Sequence, residues 1–149
     1  MSVLVASSSS VANGTYNLSF KASNSDYTVL AYAKYIIDAI APTVPSNLTA
    51  SISGSKRKQA INLAWSASSD SGSGVSHYRV IRNNSLLSTT TNLTYKDSSA
   101  ADNTLYTYVI QAVDKAGNIS SSSNSQSISK ASSGGGGSGG KGGGKGRKK

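Results

Sequence analysis

The chain has 149 residues, a formal net charge of +9, 36% hydrophobic residues and no cysteine. That length holds one domain of ordinary size with appendages rather than two complete cores, and the missing cysteines exclude disulfides and thiolate metal sites. Abundant Ser, Thr, Asn and Gly with few charged residues fits short strands joined by polar turns and leans towards an extracellular or cell-surface setting.

Met1 to Ala12 has no basic start, and its apolar run Val3-Leu4-Val5-Ala6 is shorter than a signal-peptide core, so the N-terminus reads as the cut edge of a longer product. No segment reaches the length of a transmembrane helix. After the Asn13-Gly14 turn, Tyr16, Leu18, Phe20 and Ala22 fall on alternate positions, and a second run extends from Tyr27 to Ile37. The pair predicts a β hairpin with one apolar face, which about 40 residues cannot cover alone. Either upstream strands are missing, or the face packs on the main domain or on a second chain, with weak self-association through the open strand edge as the expected consequence.

The only two prolines, Pro42 and Pro45, hold their neighbours extended and withhold amide donors, which marks a junction between modules. Seven short alternating runs follow, at Leu48 to Ile52, Ala60 to Ser66, His77 to Arg82, Leu86 to Thr90, Leu93 to Asp97, Leu105 to Asp114 and Ser121 to Ile128. Ile61, Leu63 and Trp65 share one face, Tyr78 and Val80 another, and Tyr106, Tyr108, Ile110 and Ala112 recur on every second position. These residues are the expected core, with Tyr95 joining them from the fifth run. Beyond Ser132, a Gly/Ser/Lys-rich stretch offers nothing to bury and is expected to be a flexible, disordered coil.

Ala-Pro-Thr-Val-Pro-Ser-Asn-Leu before the first run, Trp65 on the second strand, the stretch Asp70-Ser-Gly-Ser-Gly-Val-Ser-His-Tyr-Arg-Val-Ile-Arg-Asn into the third, and the sixth strand together resemble a fibronectin type III domain of the bacterial extracellular type. The resemblance covers Pro42 to Ser129. It implies an all-β, seven-stranded immunoglobulin-like sandwich with Trp65 as the central indole and Tyr106 as a corner tyrosine bonded to backbone in the preceding loop. The hairpin is similar to the last two strands of a truncated immunoglobulin-like domain, with Tyr16 in the corner position. The resulting division is a partial β region over residues 1–41, the sandwich over 42–130 and the basic tail over 131–149.

In this topology the first and last strands run the same way. Lys56, Arg57 and Lys58, the turn at Arg82 and the exit at Lys130 therefore share one pole, from which the tail residues Lys141, Lys145, Arg147, Lys148 and Lys149 extend. Such a pole attracts anionic polymers. Nucleic acid fits poorly, since the tail lacks aromatic residues and no recognition helix is predicted.

No catalysis or cofactor is expected. His77, the only histidine, lies opposite core Tyr78 with no nucleophile turn nearby, and the acids Asp26, Asp38, Asp70, Asp97, Asp102 and Asp114 are scattered singly along the chain, without the carboxylate density calcium needs. The expected function is a non-catalytic spacer or adhesion module of a larger surface or carbohydrate-active protein, with neighbouring domains as partners. Alternatives are a glycan- or protein-binding module gripping through the loops Asp70 to Ser76 and Asp114 to Ser120, and an electrostatic anchor acting through the tail.

Overall fold

The structure, a computed structural model of the chain, describes residues 13–23, 28–55 and 58–131. The described residues hold strands and no helix. β1 (Gly14–Ser23) and β2 (Thr28–Ile37) form an antiparallel hairpin, with Tyr16 opposite Tyr35, Phe20 opposite Ala31 and Ala22 opposite Val29. That pairing places the apolar residues of β1 and the residues across from them on one face. Phe20 is 51% exposed, Val29 63% and Tyr35 58%, so this face is open.

The sandwich follows. β3 (Ser46–Ser53), β4 (Ala60–Ser66) and β7 (Thr94–Asp97) form one sheet in the order β3-β4-β7. The second sheet has the order β6-β5-β8-β9, from β5 (Val75–Arg82), β6 (Ser85–Thr90), β8 (Tyr106–Asp114) and β9 (Gln126–Ile128). All ladders are antiparallel. Alternation aims Leu48, Ile61, Leu63 and Trp65 from the first sheet at Tyr78, Val80, Tyr108, Ile110 and Ala112 from the second, and these side chains form one buried cluster. Full burial of a Val, Leu or Ile side chain in this cluster contributes roughly 1.5–3 kcal/mol. Tyr95 and Tyr106 are half-buried and pack against the cluster. The Trp65 and Tyr78 rings meet edge to face at 5.6 Å.

The β5–β6 turn places Asn83 and Asn84 both at positive φ, 49° and 63°, the primed-turn geometry that matches strand twist and that Asn tolerates.

The last strand is much shorter than the predicted run from Ser121 to Ile128. Before Gln126, serine hydroxyls replace the regular ladder: Ile110 N donates to Ser123 Oγ (3.0 Å) and Ala112 N to Ser120 Oγ (2.9 Å), while Ser123 N and Ser120 N donate back to Ile110 O and Ala112 O. A side-chain acceptor in place of a carbonyl satisfies the β8 amides but interrupts regular pairing.

Asn124 closes the sandwich across the two sheets. Its Oδ1 accepts from Leu48 N and its Nδ2 donates to Leu48 O, both at 3.0 Å, so one side chain mimics a strand neighbour for β3.

Candidate functional site at the two ends of the sandwich

The hairpin meets the sandwich at the end from which β3 starts. Asp38 follows β2, and its carboxylate accepts from Ser73 N (2.7 Å) and Ile40 N (3.0 Å). Its carbonyl accepts from Asn118 Nδ2 (2.9 Å). Gly72 lies against the Asp38 carboxylate, and a Cβ there would overlap it. Thr43 and Ser69 bond each other through backbone and hydroxyl. Pro42 and Pro45 are buried, so the predicted junction is packed rather than loose.

The loop after β8 is built for this contact. Asp114 Oδ1 accepts from Asn118 N and its Oδ2 from Asn118 Nδ2, each at 2.7 Å, and Gly117 takes the left-handed φ of 96° that the turn requires. Asp70 Oδ2 accepts from Gly74 N, and Ala116 N donates to Ser73 Oγ. The polar groups of both loops are thus engaged with one another and with Asp38.

This geometry corrects the expectation that the acids stand singly. The fold brings carboxylate oxygens of Asp38, Asp70 and Asp114 within 4.8 Å of one another, although the three are far apart in sequence. Calcium takes six to eight oxygen ligands, typically with more carboxylate and carbonyl donors than these three side chains supply. Hydrogen bonds from Ile40 N and then Ser73 N hold the Asp38 carboxyl below its ordinary value.

The opposite end carries Lys58, Lys96 and Lys130. Lys56 and Arg57, and the tail residues Lys141, Lys145, Arg147, Lys148 and Lys149, lie outside the described residues. Lys58 is exposed and borders a groove of about 440 Å³ with Lys96, Lys130, Asp102, Gln59 and Ser98. Lys130 Nζ faces Asp102 Oδ1 at 3.3 Å and donates to Gln59 O at 3.3 Å.

Arg82 does not add its charge to this outer surface. Its Nη1 donates to Asp97 Oδ2 at 2.8 Å and to Ser99 Oγ at 3.0 Å, and the guanidinium lies 4.6 Å over the Tyr106 ring. Asp97 also accepts from Tyr108 Oη and from Ser99 N and Oγ. Burial alone would raise the Asp97 carboxyl, but the hydrogen bonds from Tyr108, Ser99 and Arg82 outweigh it and leave it below its ordinary value. Burial first, then Asp97, pushes the Tyr108 phenol well above the ordinary phenol range. Strand parity carried the signal for this network: Asp97 shares the inward face of its strand with Tyr95, and an inward carboxylate demands partners.

Tyr106 Oη accepts from Ala101 N at 3.2 Å, in the loop before its strand. His77 Nδ1 lies 3.2 Å from Ser76 Oγ, its sequence neighbour. No helix among the described residues is long and apolar enough to cross a membrane.

No protein-family model matches the chain. Exoglucanase A of Cellulomonas fimi is 37% identical over 90 residues, 59% of this chain and 10% of that protein. Chitinase A1 of Niallia circulans is 40% identical over 87 residues, 58% of this chain and 12% of that protein. The chain therefore spans about a tenth of the length of these curated relatives. Among solved structures, the sixth fibronectin type III domain of human fibronectin type III domain containing protein 3 superposes with a TM-score of 0.53 at 17% identity, covering 69% of this chain and 98% of that one. The sandwich of β3 to β9 has the fibronectin type III fold.

Proposed function

We propose that the chain is a non-catalytic spacer module of a larger secreted or cell-surface protein of the carbohydrate-active kind, with a partial β region over residues 1–41, the fibronectin type III domain over 42–130 and a basic tail over 131–149. The observation that carries this reading is the match to a short segment of exoglucanase A and of chitinase A1, proteins named for acting on polysaccharides, at 37% and 40% identity. The packed junction at Asp38 supports it, because a spacer needs a defined geometry to whatever precedes it.

The test is incubation of the full chain with cellulose and with chitin, scored for sugar release and for co-sedimentation. The spacer reading expects neither. Co-sedimentation would favour a glycan-binding module instead, and sugar release would overturn the non-catalytic assignment.

The open face of the hairpin favours an additional role in association. Phe20, Val29 and Tyr35 lie on one side of a two-stranded sheet, and such a sheet gains independent stability when another layer covers that side. That layer is a neighbouring domain or a second copy. Sedimentation of the full chain across a concentration series separates the two, since only the second copy gives a mass that grows with concentration.

A further inference from the structure

The outer face of the β3-β4-β7 sheet and the basic groove at its end form one continuous strip. Alternation turns Thr49 and Ser51 of β3, Asn62 of β4, and Thr94 and Lys96 of β7 away from the core, and pairing aligns them in rows: Thr49, Ala64, Thr94, and then Ser51, Asn62, Lys96. This face lines a shallow groove of about 310 Å³. Lys96 belongs both to it and to the adjoining groove of about 440 Å³ that Lys58 and Lys130 border.

The charge of the strip is one-sided. The Lys130 ammonium is matched by Asp102, whereas Lys58 and Lys96 pair with no acid among the described residues. The remaining polar side chains are hydroxyls and the carboxamides of Gln59 and Asn62. The one aromatic residue bordering the strip, Tyr95, is half-buried and packed on the core, which leaves no exposed ring for a sugar or a base to stack on.

We propose that this strip binds an acidic polysaccharide, with its carboxylates at Lys58 and Lys96 and its hydroxyls along Ser51, Asn62 and Thr94. Neutral glycans lack the charge the lysines select for, and single-stranded nucleic acid draws much of its affinity from stacking that the strip does not offer. Individual exposed contacts of this kind are weak, so a polymer engages the strip through several at once. The inference goes beyond the spacer reading and does not depend on it: a spacer without this strip, or this strip on a different kind of module, are both coherent.

The experiment measures retention of the full chain on immobilised polygalacturonate, dextran and single-stranded DNA, at low and high salt. Two full-length variants accompany it: Lys58→Ala with Lys96→Ala, and a chain in which Lys141, Lys145, Arg147, Lys148 and Lys149 are replaced by Ser. Lys58 and Lys96 are exposed, and an unchanged thermal midpoint verifies folding of both variants. The expected result is salt-sensitive retention on polygalacturonate with none on dextran, kept by the tail variant and weakened about tenfold or more by the double lysine variant. Retention that vanishes with the tail charges, that ignores the loss of Lys58 and Lys96, that is as strong on DNA, or that is absent from the start would each overturn the proposal.

Discussion

Tyr108 donates its phenolic hydrogen to Asp97 over 2.7 Å, and the two residues are 0% and 1% exposed. The bond joins strands of opposite sheets, β8 and β7, through the interior. It also gives a buried carboxylate one of the donors that make its burial tolerable.

Tyr108→Phe keeps the ring and removes only the donor. The expected cost is about 1.5–3 kcal/mol, the range for a hydrogen bond to a charged group. A urea unfolding curve with a lower midpoint and an unchanged slope is the signature. An unaltered midpoint would mean that Ser99 and Arg82 satisfy Asp97 without the phenol.

Acid should unfold the domain partly through Asp97 and Asp38, both held below the ordinary value of 3.8. A depressed carboxyl in the folded state contributes stability that is complete above 3.8 and is lost as pH falls from there through the folded value. Asp97→Asn is therefore expected to be less stable than the parent at neutral pH and to show a shallower decline below about pH 4. Denaturation midpoints across the acid range decide this, and parallel curves for the two proteins would contradict it.

Asn124→Ala removes both partners of the Leu48 peptide groups at a part-buried site. The expected loss is about 1–3 kcal/mol, more than for a surface asparagine elsewhere in the chain. Comparing Asn124→Ala with Asn92→Ala by thermal unfolding supplies the control, because Asn92 is exposed.

Asn118→Ala and Gly72→Ala act at the junction with the hairpin. The first removes donors to the Asp38 carbonyl and to Asp114, and the second drives a methyl group into the Asp38 carboxylate. Each is expected to speed hydrogen exchange at the Ile40 and Ser73 amides, which Asp38 accepts from, by at least about tenfold, while core amides such as Val80 keep their protection. Exchange that changes equally at Val80 would show that the junction and the core unfold together.

Much of the sandwich was legible because its strands alternate cleanly. Tyr106, Tyr108, Ile110 and Ala112 announce a strand by period, and Trp65 and Tyr78 announce the layers that meet over it. The side-chain clamps were not legible. Asn124 sits among serines and asparagines that look alike in sequence, and only the close approach of β3 makes it a bridge. Ser120 and Ser123 shortened the last strand by supplying hydroxyls where carbonyls were expected. The gathering of Asp38, Asp70 and Asp114, and the shared position of Lys96 between two grooves, come from topology, which brings together residues that no local pattern connects. Arg82 illustrates the converse: its charge was visible in the sequence, but its commitment to Asp97 required knowing which face of the strand Asp97 occupies.

The chain comes into the sandwich beside Asp38 and leaves it beside Gln59 and Lys130, at the other end of β3. The segment from Asn124 to Lys130 runs alongside β3 in the same direction, since Asn124 touches Leu48 near its start and Lys130 reaches Gln59 just past its finish. Tension between the two ends would therefore drag these neighbours past each other lengthwise instead of peeling them apart bond by bond. The Leu48 clamp and the packing around it would have to fail nearly together, a geometry that resists pulling far better than unzipping does.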